Sequence, residues 1–182
     1  DGRKGSSFNN VGILANDSMY VFVEVTVDPN GGNQPLLIQD SVLFTVNGIR
    51  QSVLLEAYGQ DVNLYKGGVT ITKDSILTAN RPYLIYDSLV IAKGVSLNIE
   101  KGATFYMHDK ASLIVHGSMN ALGTLDEPIT FRGDRLDYIL NDILPYDRTP
   151  GQWGGITFKA DSYGNVWDNV IVRNGTSGVY CR

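Results

Sequence analysis

The sequence contains a single cysteine, Cys181, among 182 residues. An intrachain disulfide requires two cysteines and a multi-cysteine metal site requires more, so neither can form within this chain. The lone thiol stands one residue from the end of the sequence and is interpreted as incidental rather than as a nucleophile.

Basic patches and long apolar runs are also lacking. Lysine and arginine total 15 against 19 acidic residues, for a net charge of -4, so no nucleic-acid partner is expected. Hydrophobic residues make up 43% of the chain, yet no run approaches the roughly 18 apolar residues that a membrane helix needs. Residues 1–4 lead into no signal-peptide core. We therefore expect no transmembrane segment in this chain, and a targeting segment of any exported parent would lie upstream.

Helix signals of useful length are absent before residue 66, and strand patterns replace them. Apolar residues alternate over residues 19–27, which predicts a strand that ends at the turn signals of residues 28–32. Alternation resumes over residues 42–46 and 53–57 on either side of Asn47-Gly48, a strong hairpin signal. The pattern predicts antiparallel strands of a partial β-sandwich over residues 1–66, incomplete at its N-terminus.

The pattern changes after Lys66-Gly67-Gly68, which we interpret as a domain junction. From Tyr83 onward, apolar residues come in short pairs separated by glycine corners at residues 94, 102, 117, 123 and 133. Leu89 to Leu113 and Leu97 to Ala121 both repeat at a spacing of roughly 24 residues, within the range of stacked repeats. The fold class is therefore all-β, with a β-solenoid over residues 67–182 and an inserted loop at residues 133–152.

Several motifs carry a resemblance to known proteins. SLNIEKGAT at residues 96–104, LIVHGSMNALGT at residues 113–124, EPITF at residues 127–131 and WGGITF at residues 153–158 resemble the first coils of bacterial right-handed parallel β-helix proteins. Residues 42–61 are similar to the C-terminal strands of immunoglobulin-like sandwich modules of bacterial envelope proteins. The resemblance implies a surface protein or lipoprotein, truncated at both ends, that lies outside the cytoplasm on the bacterial outer membrane or is secreted.

Such a fold does not select an activity, since β-helix proteins include adhesins as well as polysaccharide lyases and glycoside hydrolases. The leading hypothesis is a non-catalytic module for adhesion or glycan contact, with no catalytic residues and no cofactor assigned. The alternative is a fragment of a lyase or hydrolase whose active site lies on missing coils. Self-association through the open end of the solenoid is also expected.

The inserted loop contains the candidate ligand-binding residues. Tyrosine beside carboxylates and arginine suits carbohydrate, because rings stack on sugars and charged groups hydrogen-bond to hydroxyls. The predicted contact residues are Tyr138, Tyr146, Arg148 and Trp153. The opposing interpretation is a packed cover, in which the loop's leucines and isoleucines dock on the solenoid and its charges face water.

Metal and acid-base chemistry have weaker signals. Asp134, Asp137 and Asp142 are weak calcium candidates, since calcium accepts carboxylates in flexible geometry, but their spacing matches no known calcium loop. His108 and His116 have no compact cluster of further ligands in sequence and are interpreted as surface or corner residues, so no metal site is assigned. Paired acids for glycoside hydrolysis would have to come from Glu100, Asp109, Asp126, Glu127 and Asp161.

Two tripeptides match the N-glycosylation pattern, Asn16-Asp17-Ser18 and Asn174-Gly175-Thr176. The pattern has meaning only in a eukaryotic secretory pathway. Under the bacterial resemblance, both are interpreted as coincidental.

Overall fold

The computed structural model describes residues 4–25, 36–59, 61–136 and 146–182. The described residues are almost entirely β structure, with a single 3₁₀ turn at Tyr146–Arg148. The strands are β1 Leu36–Val46, β2 Ile49–Gly59, β3 Asn63–Tyr65, β4 Val69–Ile71, β5 Ser75–Leu77, β6 Tyr83–Ile85, β7 Ser88–Ile91, β8 Ser96–Ile99, β9 Thr104–Met107, β10 Ser112–Val115, β11 Ser118–Leu122, β12 Ile129–Gly133, β13 Trp153–Phe158, β14 Val166–Asp168, β15 Val170–Val172 and β16 Gly175–Cys181. Within these ranges, no helix has the length and apolar character required to cross a membrane.

The first two strands form the predicted hairpin. β1 and β2 pair antiparallel over their whole length, from Leu36 opposite Gly59 to Val46 opposite Ile49. Asn47 and Gly48 both have positive φ, 49° and 78°, which is the geometry of the tight turn that this dipeptide favours. The hairpin prediction is confirmed.

The predicted strand at residues 19–27 is wrong over its described part, because residues 19–25 belong to no strand. They approach the hairpin through side chains instead: Val23 and Val25 line a shallow cleft of about 190 Å³ together with Ile38 and Leu55. Alternation of apolar residues thus marks which side faces the hairpin, but it does not by itself provide a backbone partner. The described residues here form one two-stranded sheet, and a second sheet of a sandwich stays a prediction.

The rest of the described chain is a β-solenoid of about five turns, with three parallel sheets. One sheet has the order β3-β6-β9-β12-β15, the second β4-β7-β10-β13-β16 and the third β5-β8-β11-β14. We number the coils from the first strand of each turn, so that β3, β6, β9, β12 and β15 open coils 1 to 5. The prediction of a parallel solenoid is confirmed.

The parallel ladders begin earlier than the predicted junction. Asn63 already pairs with Tyr83, although the sequence pattern placed the start of the solenoid at residue 67. The division of the chain into domains at residues 1–66 and 67–182 itself stays a prediction.

The core lies inside the coils, where residues of successive turns stack in register. In the second sheet Leu89, Leu113 and Ile156 align directly and are all nearly inaccessible to solvent. In the first sheet Phe105 lies between the rings of Tyr83 and Phe131, at centroid distances of 4.9 and 4.5 Å. Burial of each such side chain stabilises the fold by about 1.5–3 kcal/mol.

One of the two predicted repeat spacings is wrong by two residues. Leu89 does pair with Leu113, but Leu97 pairs with Met119 and not with Ala121. The corner before β11 is two residues shorter than the corner before β8. Gly117 makes this short corner possible, because a Cβ there would overlap the carbonyl oxygen of Val95 in the coil above.

Candidate functional site

The inserted loop leaves the solenoid between β12 and β13, and its described parts are residues 133–136 and 146–152. We call residues 133–152 the docked insertion, because its second described part is bound to coil 5. The predicted residues Asp137, Tyr138 and Asp142 lie outside the described residues.

Asn174, between β15 and β16, attaches the docked insertion to coil 5. Its Nδ2 donates to the carbonyl oxygens of Tyr146, Asp147 and Thr149 at 3.2, 2.8 and 3.0 Å. Its Oδ1 accepts the amide of Gly133 at 3.2 Å, where the insertion begins. One amide side chain therefore satisfies the carbonyls of the 3₁₀ turn and holds both ends of the insertion.

Gln152 reinforces this attachment from within the insertion. Its Nε2 donates to the carbonyl oxygens of Tyr146 and Thr149, at 2.5 and 2.8 Å. The same side chain fills the space beside Gly133, where a Cβ would overlap its Oε1. Two amide side chains, one from coil 5 and one from the insertion itself, thus converge on one 3₁₀ turn.

Ion pairs complete the docking. The carboxylate of Asp147 accepts from Arg173 at 3.0 Å and lies 3.3 Å from a guanidinium nitrogen of Arg132. Arg132 stands on the outward face of β12 beside Tyr106, with which it is in register. Burial raises the pKa of Tyr106, and the nearby Arg132 charge opposes part of that rise. The insertion is therefore tied to the outward face of the first sheet by charge as well as by amide hydrogen bonds.

Two arginines of the insertion are exposed, and they differ in their contacts. Arg135 lies over the ring of Tyr146, with its guanidinium carbon 4.0 Å from the ring centroid, a cation–π arrangement. Arg148 is exposed on the same 3₁₀ turn as Tyr146. The structure thus places the predicted contact residues Tyr146 and Arg148 together at the surface.

The structure does not support the predicted role of Trp153 as a contact residue. The sequence pattern put it on the contact surface, but its side chain is 1% exposed and lies in the core. Its Nε1 donates to the carbonyl oxygen of Arg173 at 2.7 Å, which satisfies the one polar atom of the ring. Trp153 is therefore a structural residue of β13.

A row of polar side chains follows the same corner through four coils, and we call it the corner row: Lys66, Tyr86, His108 and Asp134. Each of the last three donates its backbone amide to the coil before it, at 2.8, 2.9 and 3.2 Å, so the side chains stack. The ring of Tyr86 lies 4.1 Å from the imidazole of His108, whose Nδ1 lies 2.6 Å from the Asp134 carboxylate. The row ends where the docked insertion begins.

This pairing bears on the calcium candidates. Asp134 has His108 as its partner, while Asp137 and Asp142 lie outside the described residues. In the part of the chain that the structure describes, no three histidine, cysteine, aspartate or glutamate side chains come together as metal ligands.

His116 lies at another corner and has its own carboxylate. Its Nδ1 is 2.9 Å from Asp161, and Lys93 lies 3.9 Å from the second oxygen of that carboxylate. The hydrogen bond from His116 is the main reason that the pKa of Asp161 is lowered. Both histidines are corner residues, as predicted from the sequence, and each is paired with an aspartate of the next coil.

The acidic residues considered for glycoside hydrolysis are dispersed among other partners. Glu100 accepts the amide of Ala79 at 2.7 Å and Glu127 pairs with Lys101. Asp161 is held by His116, as described above. Each of these three carboxylates therefore has a partner other than a second carboxylate.

Sequence reasoning missed Asn174, Gln152 and Arg173. From the sequence, Asn174 was considered as part of an N-glycosylation pattern, which is read from three consecutive residues. The sequence did contain one signal for Asn174: it is an asparagine on the coil that follows a long insertion. The backbone carbonyls of an inserted turn need hydrogen-bond donors, and an asparagine side chain can supply them.

Comparisons with known proteins give a narrow result. No protein-family model matches the chain, and no solved structure matches it. A stretch of 104 residues, 54% of this chain, is 31% identical to Protein bark beetle of Drosophila melanogaster. The match covers 3% of that protein, so this chain corresponds to a small part of its length. The chain is thus similar to a short region of an animal protein.

Proposed function

We propose that this chain is an extracytoplasmic binding module, in which a β-solenoid presents the docked insertion and the corner row as a contact surface for glycans. The role is adhesive rather than catalytic. The observation that carries the proposal is the attachment of the insertion by Asn174, which holds residues 146–149 in place on coil 5.

The fixed position of these residues matters because the entropic cost of binding is lower when the contacting groups are already ordered. Asn174 and Gln152 hold the 3₁₀ turn from two sides, and Asp147 is paired with two arginines. Arg135 and Tyr146 are ordered by their mutual contact. A ligand at this surface would therefore meet arginine side chains on a rigid support.

The chemistry of the surface suits sugars. Guanidinium groups donate paired hydrogen bonds to hydroxyls or carboxylates, and the side chain of Arg148 is exposed. The corner row adds an imidazole, a carboxylate and a tyrosine ring within a few ångströms of one another. Polysaccharide or cell-surface glycan is accordingly the proposed partner, and the location is outside the cytoplasm, where such glycans are found.

The N-terminal part is proposed to belong to an immunoglobulin-like sandwich that supports the solenoid. The support is the approach of Val23 and Val25 to Ile38 and Leu55, which gives the hairpin one partly covered apolar face. The finer resemblance to a bacterial envelope protein or lipoprotein rests on the sequence motifs alone. The location outside the cytoplasm is proposed without it.

Self-association is a secondary proposal. In the described residues, β14, β15 and β16 each have a strand neighbour on one side only. Unpaired strand edges are templates for another strand. Light scattering across a concentration series tests this, because a mass that stays at one chain would contradict it.

A glycan array tests the glycan-contact proposal with the intact chain and two variants, Arg148→Ala and Arg135→Ala. We expect the intact chain to bind a subset of glycans and each variant to bind them about tenfold more weakly, the loss of one good contact. The matched control is Arg50→Ala, an exposed arginine on β2 that should leave binding unchanged. Binding that both insertion variants retain in full would contradict the proposal, and cleavage of the bound glycan would favour the lyase or hydrolase alternative.

A further inference from the structure

We infer that Asn16 is an acceptor for N-linked glycan and that Asn174, which matches the same sequence pattern, is reserved for holding the docked insertion. The inference rests on the proposed extracytoplasmic location and not on the glycan-contact role. Under the bacterial resemblance both tripeptides were coincidental. Because the chain is similar to a region of an animal protein, we treat both tripeptides as candidate glycosylation sites.

Asn16 stands at the tip of a tight surface turn. The amide of Asp17 donates to the carbonyl oxygen of Leu14 at 3.1 Å, and Asn16 itself has a φ of 61°. Asn16 and Ser18 are exposed and lie outside any strand, so an enzyme can reach both the amide and the hydroxyl that the pattern requires. A glycan at this turn would extend into solvent.

The chemical step is a substitution at the sugar. The Nδ2 of Asn16 attacks the anomeric carbon of a lipid-diphosphate-linked oligosaccharide, and a nitrogen–carbon bond forms. The bond between that carbon and the diphosphate oxygen breaks, the lipid diphosphate leaves, and Nδ2 loses one of its two protons. The acceptor nitrogen must therefore not be engaged in other hydrogen bonds.

Asn174 does not meet that condition in the folded chain. An asparagine amide has two hydrogens, and those of Asn174 serve three carbonyl oxygens of the insertion. A sugar on this nitrogen would remove one hydrogen and occupy the place of the 3₁₀ turn. The side chain is only part-buried but is surrounded by the residues that it binds.

The two sites therefore predict opposite outcomes, although sequence alone treats them alike. A chain modified at Asn16 keeps all described contacts. A chain modified at Asn174 before folding would be unable to dock its insertion, so it should be depleted among folded molecules.

The experiment expresses the chain behind a host signal peptide in insect cells, together with Ser18→Ala, Thr176→Ala and the double variant. Each alanine removes one glycosylation pattern and leaves its asparagine in place, and Ser18 and Thr176 are both exposed. Intact mass is measured before and after enzymatic removal of N-glycans, and peptide mapping locates the asparagine that becomes aspartate.

We expect folded, secreted chain to carry a glycan at Asn16 and none at Asn174. Ser18→Ala should abolish the mass shift, and Thr176→Ala should leave it unchanged. An unmodified Asn16 would overturn the inference. Occupancy of Asn174 in folded chain, with the same Tm as Thr176→Ala, would overturn it equally. The glycan array measures binding by this chain, whereas the intact mass measures its modification. If Asn16 carries a glycan but the chain binds nothing on the array, only the glycan-contact proposal is rejected.

Discussion

The side-chain Nδ2 of Asn174 lies 2.8 Å from the carbonyl oxygen of Asp147, across 27 residues of sequence. The contact joins coil 5 to an insertion that leaves the solenoid one coil earlier. It makes the position of the 3₁₀ turn depend on a residue outside the insertion. The docked insertion and the end of the solenoid are therefore expected to lose order together.

Asn174→Gly should release the docked insertion. Glycine suits the φ of 63° at this position, so the substitution removes the hydrogen bonds without adding backbone strain. Loss of the four part-buried hydrogen bonds of the Asn174 side chain should lower the free energy of unfolding by about 2 kcal/mol. Thermal melting measures the loss, and limited proteolysis should show new cleavage within residues 146–152.

The matched control is Asn169→Gly, another asparagine with positive φ, 47°. Its Nδ2 contacts the carbonyl oxygen of Gly123 at 3.4 Å and the side chain of its neighbour Asp168. This variant should lose under about 1 kcal/mol. Equal destabilisation by the two variants, with the insertion resistant to protease in both, would show that Asn174 does not hold the insertion.

Gly117→Ala should destabilise the solenoid through a backbone clash. The new Cβ would overlap the carbonyl oxygens of Val95 and Ala92, which belong to the backbone of coil 2. Backbone cannot move aside as a flexible side chain can, so we expect a loss of about 2–3 kcal/mol. Chemical denaturation measures it, with Gly178→Ala as the control, since a Cβ at Gly178 meets nothing within 4 Å. A stability equal to that of the control would contradict the close approach at this corner.

The solenoid was predictable from the sequence because its core residues repeat at nearly constant spacing. Leu89 and Leu113 were placed correctly for this reason. Ala121 was misplaced because the apolar pattern does not reveal corner length: the corner at Gly117 is two residues shorter than the equivalent corner of the preceding coil, so Leu97 pairs with Met119. The strand prediction for residues 19–25 was wrong for another reason. Alternation of apolar residues indicates which side chains face an apolar neighbour, but it does not identify a hydrogen-bonding partner for the backbone.

The candidate site was less predictable, since its contacts join residues far apart in sequence. Tyr146 and Arg148 were proposed as contact residues because aromatic and charged residues in a long insertion are unusual, and that role stays a prediction. Trp153 was misassigned because composition cannot distinguish a tryptophan at the edge of an insertion from one that enters the core. Asn174 was missed because its role depends on carbonyls 25 to 28 residues away.

Acid should weaken the corner at Asp161 in a way that Asp161→Asn removes. The hydrogen bond from His116 lowers the pKa of Asp161 below its ordinary value of 3.8, and the Lys93 charge acts in the same direction. A carboxyl with a lowered folded-state pKa contributes stability that is fully present above its unfolded pKa and is lost as pH falls through the folded pKa. The Tm of the intact chain should therefore fall more steeply than that of the variant between about pH 4 and pH 2.

The control for this measurement is Asp126→Asn, at an exposed carboxyl between β11 and β12. Its profile should follow that of the intact chain. Parallel profiles for the intact chain and Asp161→Asn would mean that the contact between His116 and Asp161 contributes nothing to stability at acid pH.

Phe105→Ala should be the most damaging of the substitutions considered, because Phe105 connects two coils through its ring. It is 1% exposed and stacks on Tyr83 and on Phe131, so its removal leaves a cavity lined by both rings. Truncation of a buried phenylalanine costs about 3–5 kcal/mol, and the neighbouring coils can collapse only a little, since their strands are held in register. Leu122→Ala, at a side chain that is 53% exposed on β11, should cost under about 1 kcal/mol. Denaturant titration followed by circular dichroism measures both variants. If Phe105→Ala unfolds at the same denaturant concentration as Leu122→Ala, the stacked rings do not hold the coils together, and the aliphatic ladder of Leu89, Leu113 and Ile156 must do so instead.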